Sequence, residues 1–227
     1  MSKRVFGFGF GLSFGGIKMY LDKPLRIFLE NTASKTPTPG GGSVAALVGA
    51  LGAALLCMVG NFTLGKPRFE KVEGDIRKIL KEADKLKEEL CLLIQKDIEA
   101  YARFSEVSRM PKGTCELKEK RKQALQIALK DATQAPLATA KSSLRLIELA
   151  QLLLSRGNPN LITDVGVGAL LADAALQSAA LNVWINLGYI RDEKFKKRTN
   201  SVISSILSQG QQIKDKVIKG VKKEVAG

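Results

Sequence analysis

A chain of 227 residues with 45% hydrophobic but only 6% aromatic residues builds its core mainly from Ala, Leu, Ile and Val, which suits closely packed helices. It contains no histidine, which excludes a Ser-His-Asp or Cys-His nucleophile, a histidine proton shuttle and the common zinc sites; acid-base chemistry falls to carboxylates, Lys, Tyr or Cys. The net charge of +14, from 36 Lys+Arg against 22 Asp+Glu, attracts polyanions: nucleic acid, an anionic membrane, or a substrate with several carboxylates.

Residues 1–18 are rich in Phe and Gly and poor in aliphatics, without the apolar stretch or cleavage site of a secretory signal. They read as a disordered N-terminal extension, with Met19 opening a single domain over 19–227. From Leu21 to Ala33 the positions Leu21, Leu25, Phe28 and Leu29 predict an amphipathic helix with Pro24 in its first turn. The run Thr36-Pro-Thr-Pro-Gly-Gly-Gly-Ser43 breaks regular structure, and Ser43 is the expected N-cap of the next helix.

Residues 44–65 carry no charge and approach the length of a membrane span. Their Ala and Gly content, with Asn61 and Thr63, predicts instead a helix buried in a bundle, so no membrane partner is expected. A long amphipathic helix follows over 70–109, its stripe running through Ile76, Leu80, Ala83, Leu86, Leu90, Leu93, Ile94, Ile98, Tyr101 and Phe104. Further helices are predicted over 116–132 and 136–155. A second, almost uncharged helix spans 165–187, capped by Thr163 or Asp164. The last runs over 192–225, with Gly210 as a weak point. The segment from Arg191 to Gly227 holds ten Lys+Arg against four Asp+Glu. The fold class is therefore all-α, a helical bundle with two buried Ala/Gly-rich helices. Two such helices exceed what one protomer would cover, which predicts a homodimer.

The chemistry centres on Asp97. Leu86, Leu90, Leu93, Asp97, Tyr101 and Phe104 recur at steps of three and four, placing a carboxyl on the buried stripe. Removal from water disfavours its charged form and raises its pKa toward a range useful for proton transfer. The alternatives are an ion pair with a Lys or Arg of a neighbouring helix, or a place just on the wet edge of the stripe. Gly40, Gly41, Gly42 and Ser43 open a helix and offer backbone N–H groups to an anion or a heterocycle carbonyl; they equally fit a plain turn. The loop lacks the Gly-Lys-Ser/Thr ending of a Walker A motif, and no strand precedes it to make a dinucleotide fingerprint. Asp164 serves as a cap or a site residue. Asp173, Asn182 and Asn186 lie within an apolar helix and need partners or a ligand. Lys66 and Lys112, in turns, could hold substrate carboxylates or simply face water. The three widely spaced cysteines, Cys57, Cys91 and Cys115, read as thiols of a reducing, cytoplasmic compartment.

Six segments occur together in order: Thr38-Pro-Gly-Gly-Gly-Ser-Val-Ala-Ala46, Met58-Val-Gly-Asn-Phe-Thr-Leu-Gly-Lys66, Asp97-Ile-Glu-Ala-Tyr101, Met110-Pro-Lys112, Thr163-Asp-Val-Gly-Val167 and Asn182-Val-Trp-Ile-Asn-Leu187. In them the chain resembles the cyclodeaminase domain of formiminotransferase-cyclodeaminase and the free-standing methenyltetrahydrofolate cyclohydrolases. It departs from that pattern at Tyr101, where Phe is usual, at Thr163, where Ser is usual, and at Gln95 and Lys96. The resemblance implies an all-helical homodimer with folate near the subunit interface, Asp97 as proton donor, and the Gly-rich loop and Asp164 at the substrate site. It implies a tetrahydrofolate derivative, singly or multiply glutamylated, as substrate, and neither metal nor cofactor. Whether the reaction is cyclodeamination or hydrolysis stays open. The alternative function is a basic helical nucleic-acid-binding or scaffold protein; the few aromatics and arginines among the lysines speak against it.

Overall fold

The computed structural model describes residues 20–226, and the predicted extension over 1–18 lies outside them. Within the described residues the α-helices are α1 (Leu25–Ala33), α2 (Gly41–Thr63), α3 (Glu73–Ser108), α4 (Cys115–Ala132), α5 (Gln134–Arg156), α6 (Ile162–Tyr189) and α7 (Glu193–Ala226). Short 3-10 turns stand at Tyr20–Asp22, Pro67–Val72 and Pro159–Leu161, and no strand occurs among the described residues. The fold is all-α, as the composition predicts.

The uncharged helix α2 packs against α3, α5 and α6; α4 lies against α3, and α7 covers α5 and α6. Leu56, Leu146, Ile147, Leu153, Leu176 and Ile203 have no accessible surface and join four of these helices in one core. Each such side chain contributes roughly 1.5–3 kcal/mol through burial. Gly49 faces Ala175, Gly52 faces Gly168 and Ala172, and Leu56 meets Gly168, so α2 and α6 run antiparallel. A Cβ added to Gly52 would stand 3.0 Å from the Gly168 carbonyl oxygen. Backbone therefore rests on backbone, and any side chain would push the two helices apart.

Three details of the sequence reading need correction. Helix α2 begins at Gly41 with Gly40 as N-cap, so Ser43 is already in its first turn. Helix α6 begins at Ile162 after Leu161, because the 3-10 turn Pro159–Leu161 runs straight into it; Thr163 and Asp164 lie inside the first turn and do not cap it. Gly210 is not a weak point: α7 is continuous there, and the glycine is buried where a Cβ would strike Leu176.

The two Ala/Gly-rich helices are long and apolar enough to cross a membrane by length and composition. Both are only partly enclosed. Leu51 on α2 is 51% exposed, and Val167, Leu170 and Leu181 on α6 are 45%, 49% and 64% exposed. Steps of three and eleven residues place Val167, Leu170 and Leu181 along one open stripe of α6.

Candidate active site

Where α2 begins, the bundle opens into a cavity of about 330 Å³. Its walls come from the loop before α2 (Pro37, Thr38, Gly40), the first residues of α2 (Gly41, Gly42), α3 (Asp97, Ala100, Tyr101, Phe104), α4 (Leu129, Ala132), Pro136 of α5, and α6 (Asn182, Ile185, Asn186, Tyr189). Asp97 is the one charged residue among these lining residues.

Asp97 is half-buried on the inner stripe of α3 and points at the start of α2. Gly40 caps that helix without a side-chain bond, leaving early N–H groups of α2 in need of acceptors. The carboxyl of Asp97 meets this need from outside the helix. Ser43 Oγ donates to Asp97 Oδ2 at 2.7 Å, and the Ser43 N–H is also turned to the carboxylate. Burial raises the Asp97 pKa above its ordinary value, and the Ser43 hydroxyl and N–H offset this only in part. No ion pair with a neighbouring Lys or Arg forms at Asp97 among the described residues. Approach at this point is so close that a Cβ on Gly42 would coincide with the carboxyl group.

The opposite wall is built from α6. Asn182 Nδ2 donates to the Ser178 carbonyl at 2.9 Å, and Asn186 Nδ2 to the Ala132 carbonyl at 3.0 Å. Four residues apart, the two amides share one helix face. The second bond also fixes the end of α4. Gln126 reinforces it, donating to the Tyr189 carbonyl at 3.0 Å and accepting from Arg191 N–H at 2.7 Å. Lys130 meets Asp192 at 2.7 Å, and Arg103 meets Asp131 at 2.7 Å, binding α4 to the α6–α7 turn and to α3.

Of the residues singled out in the sequence, Asp97, Gly40, Gly41, Gly42 and Asn182 converge on this cavity. Ser43 does not line it: it is fully buried, behind Asp97, and has no surface to offer a ligand. Lys66 lies beyond the far end of α2, which is about 33 Å long. Asp164 lies at the opposite end of α6 from Asn182, about 27 Å along the helix. Lys112 is exposed in the α3–α4 connection and contributes nothing to the walls. Within one protomer these three are apart from the carboxyl. Asn186, expected to need a partner or a ligand, also lines the wall, as do Tyr101, Phe104 and Tyr189, which the sequence does not mark as site residues. The i, i+4 spacing of Asn182 and Asn186 on an apolar helix was the available signal for the first.

Among the described residues no cluster of three His, Cys, Asp or Glu could hold a metal ion. What the arrangement offers is a mostly apolar slot with a single carboxyl on its wall. Two amides face it across the slot.

The family model of formiminotransferase-cyclodeaminase matches residues 24–205. The chain is 37% identical over 204 residues to the methenyltetrahydrofolate cyclohydrolase of Methylorubrum extorquens, covering 90% of this chain and 98% of that protein. It is 36% identical over 195 residues to the formimidoyltransferase-cyclodeaminase of Gallus gallus, covering 86% of this chain but 36% of that longer relative. A crystal structure of formiminotetrahydrofolate cyclodeaminase from Thermotoga maritima aligns with a TM-score of 0.81 at 32% identity, over 89% of this chain and 97% of that one. The fold agrees with the solved relative, and the chain belongs to the formiminotransferase-cyclodeaminase family.

Proposed function

We propose that this chain is an enzyme of one-carbon tetrahydrofolate chemistry that makes or opens the N5,N10-methenyl bridge, with Asp97 as its general acid and base. The observation that carries this reading is the raised, half-buried Asp97 carboxyl as the one charged group on the cavity wall. In hydrolysis, water adds to the methenyl carbon while ionised Asp97 takes one of its protons; the C–N5 bond then breaks as N5 receives that proton from the carboxylic acid and the remaining hydroxyl proton leaves to solvent, which gives the N10-formyl product. In cyclodeamination, N10 attacks the N5-formimidoyl carbon; the N10 proton passes to the former imine nitrogen, and protonated Asp97 supplies the second proton with which it departs as ammonia, leaving the methenyl cation. Neither sequence changes an oxidation state, so neither calls for a redox cofactor. Holding the pterin still matters as much as the proton, because ring closure within one molecule is governed by orientation. Tyr101, Phe104 and Ile185 supply apolar surface for the ring system. Asn182 and Asn186, with Nδ2 committed to backbone carbonyls, present Oδ1 to its N–H donors. The glutamyl carboxylates extend outside the slot toward the basic surface.

Purified protein should convert the methenyl chromophore when given methenyltetrahydrofolate, or generate it from formimidoyltetrahydrofolate. Absorbance with each compound distinguishes the two directions. Silence with both would remove the enzymatic reading.

The open stripe of α2 and α6 is best covered by a second copy of the chain. A two-fold axis crossing these helices at right angles would lay the far end of one protomer beside the cavity of the other. That arrangement gives Lys66 and Asp164 a place at the site, which a single protomer does not. Lys112, exposed between α3 and α4, is a further candidate to meet the glutamyl end. Asp173, midway along α6, speaks against a membrane role for that helix, and in this arrangement lipid never meets the stripe. We place the enzyme in a reducing cytoplasm, where three free thiols are at home; burial pushes the Cys57 thiol up to about 11 and leaves it inert. Sedimentation should give a particle of twice 24.6 kDa. Mixing inactive Asp97→Asn with inactive Lys66→Ala protein should restore part of the activity, because hybrid dimers hold one intact site; no recovery would confine the site to one protomer.

A further inference from the structure

We infer that Ser43 is a positioning residue for this reaction: its hydroxyl holds Asp97 Oδ2 and leaves Oδ1 as the oxygen that exchanges the proton. The inference rests on Asp97 acting as proposed above. Ser43 has no accessible surface, which excludes direct contact with substrate. Its Oγ lies 2.7 Å from Asp97 Oδ2 and 3.4 Å from the Ile94 carbonyl oxygen. A serine hydroxyl has one proton to give. The carboxyl takes it at a distance typical of a charge-assisted bond, while the Ile94 distance is beyond the usual O–H···O range. With Oδ2 occupied by a donor, a proton arriving at the carboxyl goes to Oδ1, the oxygen that a Cβ on Gly42 would meet first at the cavity wall.

A purely structural role fits less well. Ser43 stands in the first turn of α2 and makes no cap bond to its own helix. No other charged group on the walls takes over its effect: the remaining titratable lining residues are Tyr101 of α3 and Tyr189 of α6, while α2 and α5 contribute none. Lys96 and Glu99, beside Asp97 in sequence, are exposed. On α4, Lys130 and Asp131 are engaged with Asp192 and Arg103.

The test is the titration of Asp97, followed by carbon NMR of labelled aspartate in the unliganded protein, set beside the pH–rate profile. Asp97→Asn protein identifies the signal. In Ser43→Ala the ionised carboxyl loses its donor, so the titration and the acidic limb of the hydrolytic rate should move together by about one pH unit upward. Below that limb the rate falls about tenfold, with KM little changed. Ser43→Thr keeps the hydroxyl and should return both toward the parent values. The inference is overturned if Ser43→Ala leaves the titration in place, or if KM rises at constant kcat. It is also overturned if the alanine variant loses only thermal stability. Because the titration needs no substrate, it supports or refutes the role of Ser43 at the carboxyl even if the parent protein turned over no folate.

Discussion

Asp97→Asn protein is expected to fold, dimerise and bind folate while losing turnover by a factor on the order of 10²–10⁴, the usual worth of a general acid or base. The amide has the same shape as the carboxyl, and its Oδ1 can still accept from Ser43 Oγ, now 2.7 Å from Asp97 Oδ2. What it cannot do is exchange a proton. Rates measured at fixed folate concentration, with binding followed separately, decide the matter, and a near-parental rate would take Asp97 out of the chemistry. The stability of the two proteins should also diverge with pH, in a direction set by the raised pKa of Asp97. A carboxyl whose folded pKa lies above its unfolded value contributes its stability in full below the unfolded value and loses it as pH rises through the folded one. Melting curves should therefore favour the asparagine protein progressively at the alkaline side of the Asp97 titration, and not at acid pH.

The second large effect is expected at Gly42. A methyl group there would occupy the space of the Asp97 carboxyl, so Gly42→Ala must rotate the acid away from Ser43 or push back the start of α2. Either displacement approaches 1 Å, which can cost on the order of 10²-fold in rate. The strain itself should destabilise the fold by about 1–3 kcal/mol. Its neighbours provide the contrast. A Cβ on Gly40 would meet only the Pro37 carbonyl oxygen at 3.6 Å, and one on Gly41 only the Asn182 amide at 3.5 Å. Gly40→Ala should thus retain most activity in the same assay. Equal losses at Gly40 and Gly42 would show that loop flexibility, and not room for the acid, is what the glycines supply.

Helix existence was legible in the sequence because apolar positions recur at three and four residues, and that periodicity alone placed Asp97 on the inner stripe of α3. Helix starts were less legible. Ser43 has the chemistry of a cap, yet α2 starts earlier because the groups that satisfy its first turn come from α3, more than fifty residues away. At α6, the Asn158 side chain accepts from Asn160 N–H at 3.1 Å and stabilises a 3-10 turn that delivers the chain into the helix before Thr163 is reached. Asn186 could be seen to need a partner, but that partner is the Ala132 carbonyl at the end of α4, which no local pattern reveals. The resemblance implies Asp164, and the turn position suggests Lys66, as companions of Asp97 at the site. Only a folded chain displays that they stand at the other end of the same two helices.

The backbone contact between Gly52 and Gly168 has a mechanical consequence for ligand entry. Because no side chain is interposed there to change rotamer, the two helices that supply the start of α2 and the paired amides cannot slide past each other without separating outright. Of the walls, α4 is the one joined to α6 and the α6–α7 turn by exposed polar bonds, Gln126 to Tyr189 and Lys130 to Asp192, so it yields more readily to a rigid bicyclic molecule than the α2–α6 pair.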